Sequence, residues 1–241
     1  MSGTARFRSW ATTHAGARRT HNEDALLNRP DLGLWAVSDG AGGHEAGEVA
    51  SAEIVQQLES IPTGLGAPEM LAEIRLRVGA AHTALRAEAG RRGPDAIVAA
   101  TVVILVVRGQ HFACLWAGDS RAYLLRAGVL RQVTRDHSLV QELLESGAIS
   151  AEEAEDHPRA NVITRAIGVA VDEVDLDKVT DRLQVGDRFL LCSDGLNKTL
   201  ADAELATLLN GGEDPSERLI EAALMQLVTD NVTAVVIHVT G

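Results

Sequence analysis

At 241 residues, with 46% hydrophobic and 23% charged side chains, the sequence has the balance of a globular chain with a sizeable core. Aromatics reach only 3%, so Val, Leu, Ile and Ala must fill that core. The net charge of −12 argues against a nucleic-acid partner, because phosphate backbones attract basic faces. It leaves a phosphorylated substrate open, since bound metal ions invert the local sign. Met1 to Trp10 carries Arg6 and Arg8 but no apolar stretch of the signal-peptide kind. The expectation is a cytoplasmic protein without membrane contact.

In chain order, Phe7–Thr13 and Leu34–Ser38 read as strands. Ser51, Ile54, Val55 and Leu58 then follow helical spacing. Leu71, Ile74, Val78, Ala81 and Leu85 line one face of a longer helix. The longest apolar run, Ile97–Val107, is too short to span a bilayer and rich in β-branched residues, so it reads as a buried strand. Strands Phe112–Ala117 and Ala122–Leu125 follow, and the second leads into the turn Arg126-Ala127-Gly128. Leu139, Val140, Leu143 and Leu144 suggest a short helix, and Ser150-Ala151-Glu152-Glu153 starts another with an N-cap. After strand Arg188–Cys192, Asp214-Pro215-Ser216-Glu217 opens a helix that should bury Ile220, Ala223, Leu224 and Leu227. Val232–Val239 is the last strand. Short turns between strands favour antiparallel pairing, and the packing they imply is sheet on sheet with helices outside, an α+β layered fold. Cys114 and Cys192 lie in apolar strand-like surroundings and read as buried free thiols.

The chemistry-bearing residues are aspartates beside glycine or at strand ends. They lie in Asn22-Glu23-Asp24, Asp39-Gly40-Ala41-Gly42-Gly43-His44, Gly118-Asp119-Ser120-Arg121, Ser193-Asp194-Gly195 and Asp230-Asn231. Each Asp-Gly pair alone is ordinary turn chemistry. Carboxylates projected from several strand ends into one cleft are different, because they supply the oxygen ligands that Mg²⁺ and Mn²⁺ prefer. Glycine would let a carbonyl approach the ion.

In this order the motifs resemble those of the metal-dependent type 2C (PPM) protein phosphatases. Arg19-Thr20-His21-Asn22-Glu23-Asp24 is similar to that family's entry motif, and Val37 to His44 to its bacterial Asp-Gly segment. Gly118 to Arg121, Thr134 to Ser138, Thr164 to Gly168, Ser193 to Gly195 and Asp230 to Thr233 follow in family order, so the match runs from about Phe7 to Val239.

The resemblance implies a central β-sandwich of two antiparallel sheets flanked by helices, forming one domain over residues 1–241. It implies protein serine/threonine phosphatase activity with two Mn²⁺ or Mg²⁺ ions, and a third in bacterial members. By the same resemblance Asp39 bridges both ions, the Gly40 carbonyl binds one, and Asp194 and Asp230 hold the other. Glu23 and Asp24 are ligands or support them, and Asp119 helps hold the third ion. Arg19 binds the substrate phosphate, to which a guanidinium offers two parallel donors. A hydroxide between the ions attacks phosphorus.

Two positions depart from the family pattern. Ala41 stands where some members place a general-acid His, which leaves a metal-bound water or another group for that task; His44 nearby reads as structural. Ala99-Ala100 replaces Gly-Thr-type residues at what reads as a packing site. Residues 141–165 resemble the flap subdomain of bacterial members. The stretch Asn28 to Trp35 and the compact form are similar to phosphatases accompanying type VI secretion systems. Expected partners are phosphorylated Ser/Thr proteins made by a Ser/Thr kinase, with the enzyme a monomer. The alternative is a catalytically weak regulator of the same fold that binds phosphoproteins, against which the complete set Asp39, Asp194 and Asp230 argues.

Overall fold

The computed structural model describes residues 6–42, 45–155, 157–169 and 174–241. In chain order it runs through β1 (Arg6–His14), β2 (Asp24–Arg29), β3 (Leu34–Ala41), α1 (Ala46–Glu59) and α2 (Ala67–Arg92). Next come β4 (Ala99–Ala100), β5 (Val102–Arg108), β6 (His111–Ala117), β7 (Arg121–Arg126) and β8 (Val129–Gln132). The short helices α3 (Leu139–Glu145) and α4 (Ala151–Glu155) precede β9 (Asp177–Arg182) and β10 (Arg188–Cys192). The chain closes with α5 (Asp194–Asn197), α6 (Asp202–Asn210), α7 (Pro215–Met225) and β11 (Val232–Thr240).

The strands form two antiparallel sheets, ordered β1-β11-β10-β7-β8 and β2-β3-β5-β6-β9, with β4 paired to β3. Period-two alternation explains why their central strands are apolar on both faces. Along β3, Leu34 and Ala36 pack under α1 and α2 beside Ile54 and Ile74, while Trp35 and Val37 face the opposite sheet. Along β11, Val235 and Ile237 meet them between the sheets, and Ala234 and Val236 turn outward under α6 and α7. The layers are therefore helix, sheet, sheet, helix, as expected. Cys114 lies between the sheets and Cys192 under the outer helices; both are free and buried, and burial pushes both thiols up.

Some elements differ from the sequence reading. The run Ile97–Val107 is not one strand: Ile97 is 62% exposed, Ala99 and Ala100 pair with β3, and β5 starts only at Val102. Between them the Thr101 N–H donates to the Asp39 carbonyl (2.8 Å), and Ala100 exchanges bonds of 3.0 and 2.8 Å with Ile167. Leu227 is 72% exposed instead of buried. It adopts a left-handed φ of 58°, which lets the Val228 N–H reach the Ala223 carbonyl at 3.1 Å and buries Val228 in its place. The turn Ala127-Gly128 forms the expected hairpin between β7 and β8, both residues having positive φ.

Candidate active site

Register brings the aspartate-bearing strand ends to one end of the sandwich. Asp24 opens β2 and is the direct partner of Asp39 near the end of β3. Asp119 follows β6, Asp194 follows β10 and Asp230 precedes β11. Pairing of Cys192 with both Arg121 and Ala234 sets the ends of β10, β7 and β11 side by side.

Asp24 is buried and spans the two sheets. Its Oδ2 accepts from Ser193 Oγ (2.7 Å), just past the end of β10, and from Thr233 Oγ1 (2.6 Å) on β11 of the opposite sheet. Burial raises its pKa to about 7, nearby Asp194 and Asp230 add to this, and the two hydroxyls pull the other way. Burial also lifts Asp39 well above the usual carboxylate range, helped by Asp24, Asp194, Asp119 and Asp230. The Asp39 main chain is clamped by Thr101, whose Oγ1 accepts from the Asp39 N–H at 3.1 Å. A Cβ at Gly40 would stand 2.0 Å from the Gly47 carbonyl oxygen, so only glycine lets α1 approach β3 here.

Asp119 is buried, and burial followed by Asp194 raises its pKa to about 6. Gly118 before it, at φ 114°, is held from both sides by His137. Its N–H donates to His137 Nδ1 (3.2 Å), and its carbonyl accepts from the His137 N–H (2.9 Å). His137 Nε2 lies 3.2 Å from Asp177 Oδ2, close enough for charge but not aligned as a hydrogen bond. Arg121 and Asp136 from the neighbouring motifs bind each other through bonds of 3.0 and 2.7 Å and serve structure.

Two cations flank the carboxylates. Arg19 grips Asp230 with one edge of its guanidinium, Nε to Oδ1 at 3.0 Å and Nη2 to Oδ2 at 3.1 Å. Lys198 Nζ donates to Asp194 Oδ2 (2.6 Å) and to Asn161 Oδ1 (2.8 Å). Burial works against the Lys198 ammonium, but Asp194, Asp119 and Asp39 outweigh it and raise its pKa. Glu23 is half-buried; burial raises its pKa, and Arg19 acts in the opposite direction. Asn231 ties the loop together, accepting from the Glu23 N–H and donating to the Ala15 and His21 carbonyls. His44 lies outside the described residues, and Ala41 is exposed at the strand end.

Lys198, Thr101, Ser193, Thr233 and Asn231 have no site role in the sequence reading. Lys198 had one available signal, its position four residues after Asp194, while Thr101 acts through main-chain proximity that appears only once β3 and β5 are paired.

Asp24 Oδ1 and Asp119 Oδ1 are buried without a hydrogen-bond partner, in a cluster whose carboxylates raise one another's pKa. Such oxygens are costly to leave unmatched. Among the described residues no three His, Cys, Asp or Glu side chains already close into a cage. A hard divalent ion does not need one, since Mg²⁺ takes one or two carboxylates and keeps several waters. The donor set fits Mn²⁺ or Mg²⁺.

The profile of the Protein phosphatase 2C family matches residues 12–229. The chain belongs to the protein phosphatase 2C family. Among its relatives, the serine/threonine phosphatase stp of Listeria monocytogenes is 34% identical over 94% of this chain and 93% of its own length. The serine/threonine protein phosphatase PstP of Mycobacterium tuberculosis is 36% identical over 95% of this chain, which spans only 44% of PstP. Among solved protein phosphatase 2C structures, the catalytic domain of PstP in complex with two manganese ions superposes with a TM-score of 0.88 at 35% identity, covering 99% of this chain and 100% of that one. PppA, described as a key regulatory component of T6SS in Pseudomonas aeruginosa, superposes at 0.89 with 42% identity, over 98% of this chain and 99% of its own.

Proposed function

We propose that this protein is a metal-dependent protein serine/threonine phosphatase acting on phosphoserine and phosphothreonine in proteins. The observation that carries the reading is the gathering of Asp24, Asp39, Asp119, Asp194 and Asp230 at one end of the sandwich, with two buried carboxylate oxygens unmatched. Family membership and the manganese-bound PstP relative support it.

In this reading Asp39, the Gly40 carbonyl, Asp194 and Asp230 hold two Mn²⁺ or Mg²⁺ ions. Asp119 contributes to a further one, and Glu23 and Asp24 support the ligands. Bound divalent ions supply an activated water and positive charge at neutral pH. The chain's own residues do the rest. Asp24, fixed by Ser193 and Thr233, holds the two sheet ends in register. Thr101 fixes the strand end that presents Asp39. Arg19, now paired with Asp230, would be released if that carboxylate held an ion, and could then donate two parallel bonds to phosphate oxygens and stabilise their growing charge. Water oxygen bonds to phosphorus, the bond to the Ser or Thr oxygen breaks, and the proton that the water gives up ends on that oxygen by way of solvent, since Ala41 has no group to relay it. Residues 141–165 form a flap that selects among phosphoproteins. It is joined to the body by the Ser138–Ile163 bridge and faces a cavity of about 720 Å³ lined in part by Asp119, Asn161 and Lys198.

No helix among the described residues is long and apolar enough to cross a membrane. A monomer of one domain, working in the cytoplasm against a Ser/Thr kinase, completes the reading, and the PppA likeness favours a place beside type VI secretion. The test is phosphate release from a phosphoserine peptide. It should vanish with chelator, return with Mn²⁺, and fall at least ~10³-fold in kcat for Asp39→Asn. Full activity in excess chelator, or in Asp39→Asn, would overturn the proposal.

A further inference from the structure

Asp194 and Lys198 bracket α5, and four residues of helical spacing set the lysine directly over the carboxylate. Both parts of Lys198 bind Asp194: its N–H donates to the Asp194 carbonyl (2.9 Å) and its Nζ to Oδ2 (2.6 Å). The Asn161 side chain, from the neighbouring flap segment, takes a second Nζ proton at 2.8 Å and keeps the ammonium in place. Lys198 also lines the 720 Å³ cavity together with Asp119, so the positive charge and a carboxylate of the cluster face the same space. The lysine side chain remains 40% exposed and has room to swing away.

We propose that Lys198 is a built-in counter-cation that competes with a divalent ion for the Asp119–Asp194 side of the cluster. Asp194 Oδ2 cannot give its charge fully to an ammonium at hydrogen-bond distance and to a dication at once, and the two cations repel each other. Ion entry on this side therefore requires Lys198 to leave Asp194. Asp230, which would share another ion with Asp194, already carries its own cation in Arg19, so removing Lys198 should tell most where Asp119 joins Asp194. The inference rests on the assignment of Asp194 and Asp119 to ions made above.

Calorimetric titration of the ion-free protein with Mn²⁺ tests it, comparing wild type, Lys198→Met and Lys198→Arg at fixed low ionic strength. Methionine keeps an unbranched side chain of similar length without the charge. The weakest Mn²⁺ site should tighten at least ~5-fold in Lys198→Met, and the gain should shrink with added salt. Lys198→Arg should stay within about twofold of wild type, since it keeps the charge. Combining Lys198→Met with Asp119→Asn should abolish the gain. Melting temperatures measured alongside show that the variants are folded. Affinities in Lys198→Met within twofold of wild type at every site, or weaker, overturn the role of Lys198 while leaving the ion sites standing. Equal tightening by Lys198→Arg overturns it too, because charge is then not the cause. Failure of the wild type itself to bind Mn²⁺ overturns the ion assignment, and this inference with it.

Discussion

Asp24 sits in a site that favours its neutral form, with a pKa of about 7 against the ordinary 3.8. Its folded-state pKa lies above the unfolded one, so the ion-free fold holds an extra proton between them. The stability this contributes is present at low pH and lost as pH rises through the folded value; Asp119, at about 6, acts the same way. A divalent ion needs the charged carboxylates and must displace those protons. The ion-free protein should therefore lose melting temperature between about pH 4 and 7, while the increment from saturating Mn²⁺ grows over the same range. A Mn²⁺ increment independent of pH would contradict this. Arg19 permits a kinetic counterpart. If Arg19 binds the phosphate as proposed, Arg19→Ala should raise KM for phosphate esters and lower kcat, because the guanidinium would then contact charge that grows in the transition state. Arg19→Lys should recover only part of both, and an unchanged kcat/KM would remove Arg19 from the phosphate. The aspartates themselves were legible because each stands in a short motif at the end of an apolar run. Asp24 reaching Ser193 and Thr233 across 169 and 209 residues was not, since no local pattern records a contact between sheets.

Among the strands, the central ones were the most legible. The central strands β3, β5, β6, β10 and β11 announce themselves as apolar runs, whereas the edge strands β8 and β9 read Val-Leu-Arg-Gln and Asp-Lys-Val-Thr-Asp-Arg. Charges on an edge block pairing with another chain, and they also hide the strand from a hydrophobicity reading. The short helix α3 is capped by Ser138, whose side chain accepts from the Gln141 N–H, yet it buries no residue. A segment so weakly packed opens at little cost, which suits a flap. Replacing the exposed Glu152 and Glu153 by Ala should change relative rates among phosphopeptides, most for those with basic flanks. Hydrolysis of a small aryl phosphate should stay within about threefold. The comparison is made at one ionic strength, because exposed charges are screened. Parallel loss on both substrate classes would make the segment a support of the catalytic centre, and no change on either would make these glutamates a solvated face.

At the scale of the whole molecule, the layered sandwich turns a sequence spread of more than 200 residues into one cluster, because antiparallel register fixes which strand ends coincide. The number of apolar runs and the short turns pointed to that architecture, but strand order did not follow from them. The pairing of β1 with β11 joins the two ends of the described chain and has no local signal. The same register brings Asp230 within reach of Arg19, and helical spacing sets Lys198 on Asp194, so the ion-free site carries its own positive charges. The central claim is that these carboxylates exist to hold ions. Anomalous diffraction from crystals grown with Mn²⁺ measures this directly. The account predicts peaks touching Asp39, the Gly40 carbonyl, Asp194 and Asp230, with the Arg19 guanidinium released from Asp230. A map with no peak at Asp39, or with Arg19 still seated on Asp230 and the ions elsewhere, would contradict it.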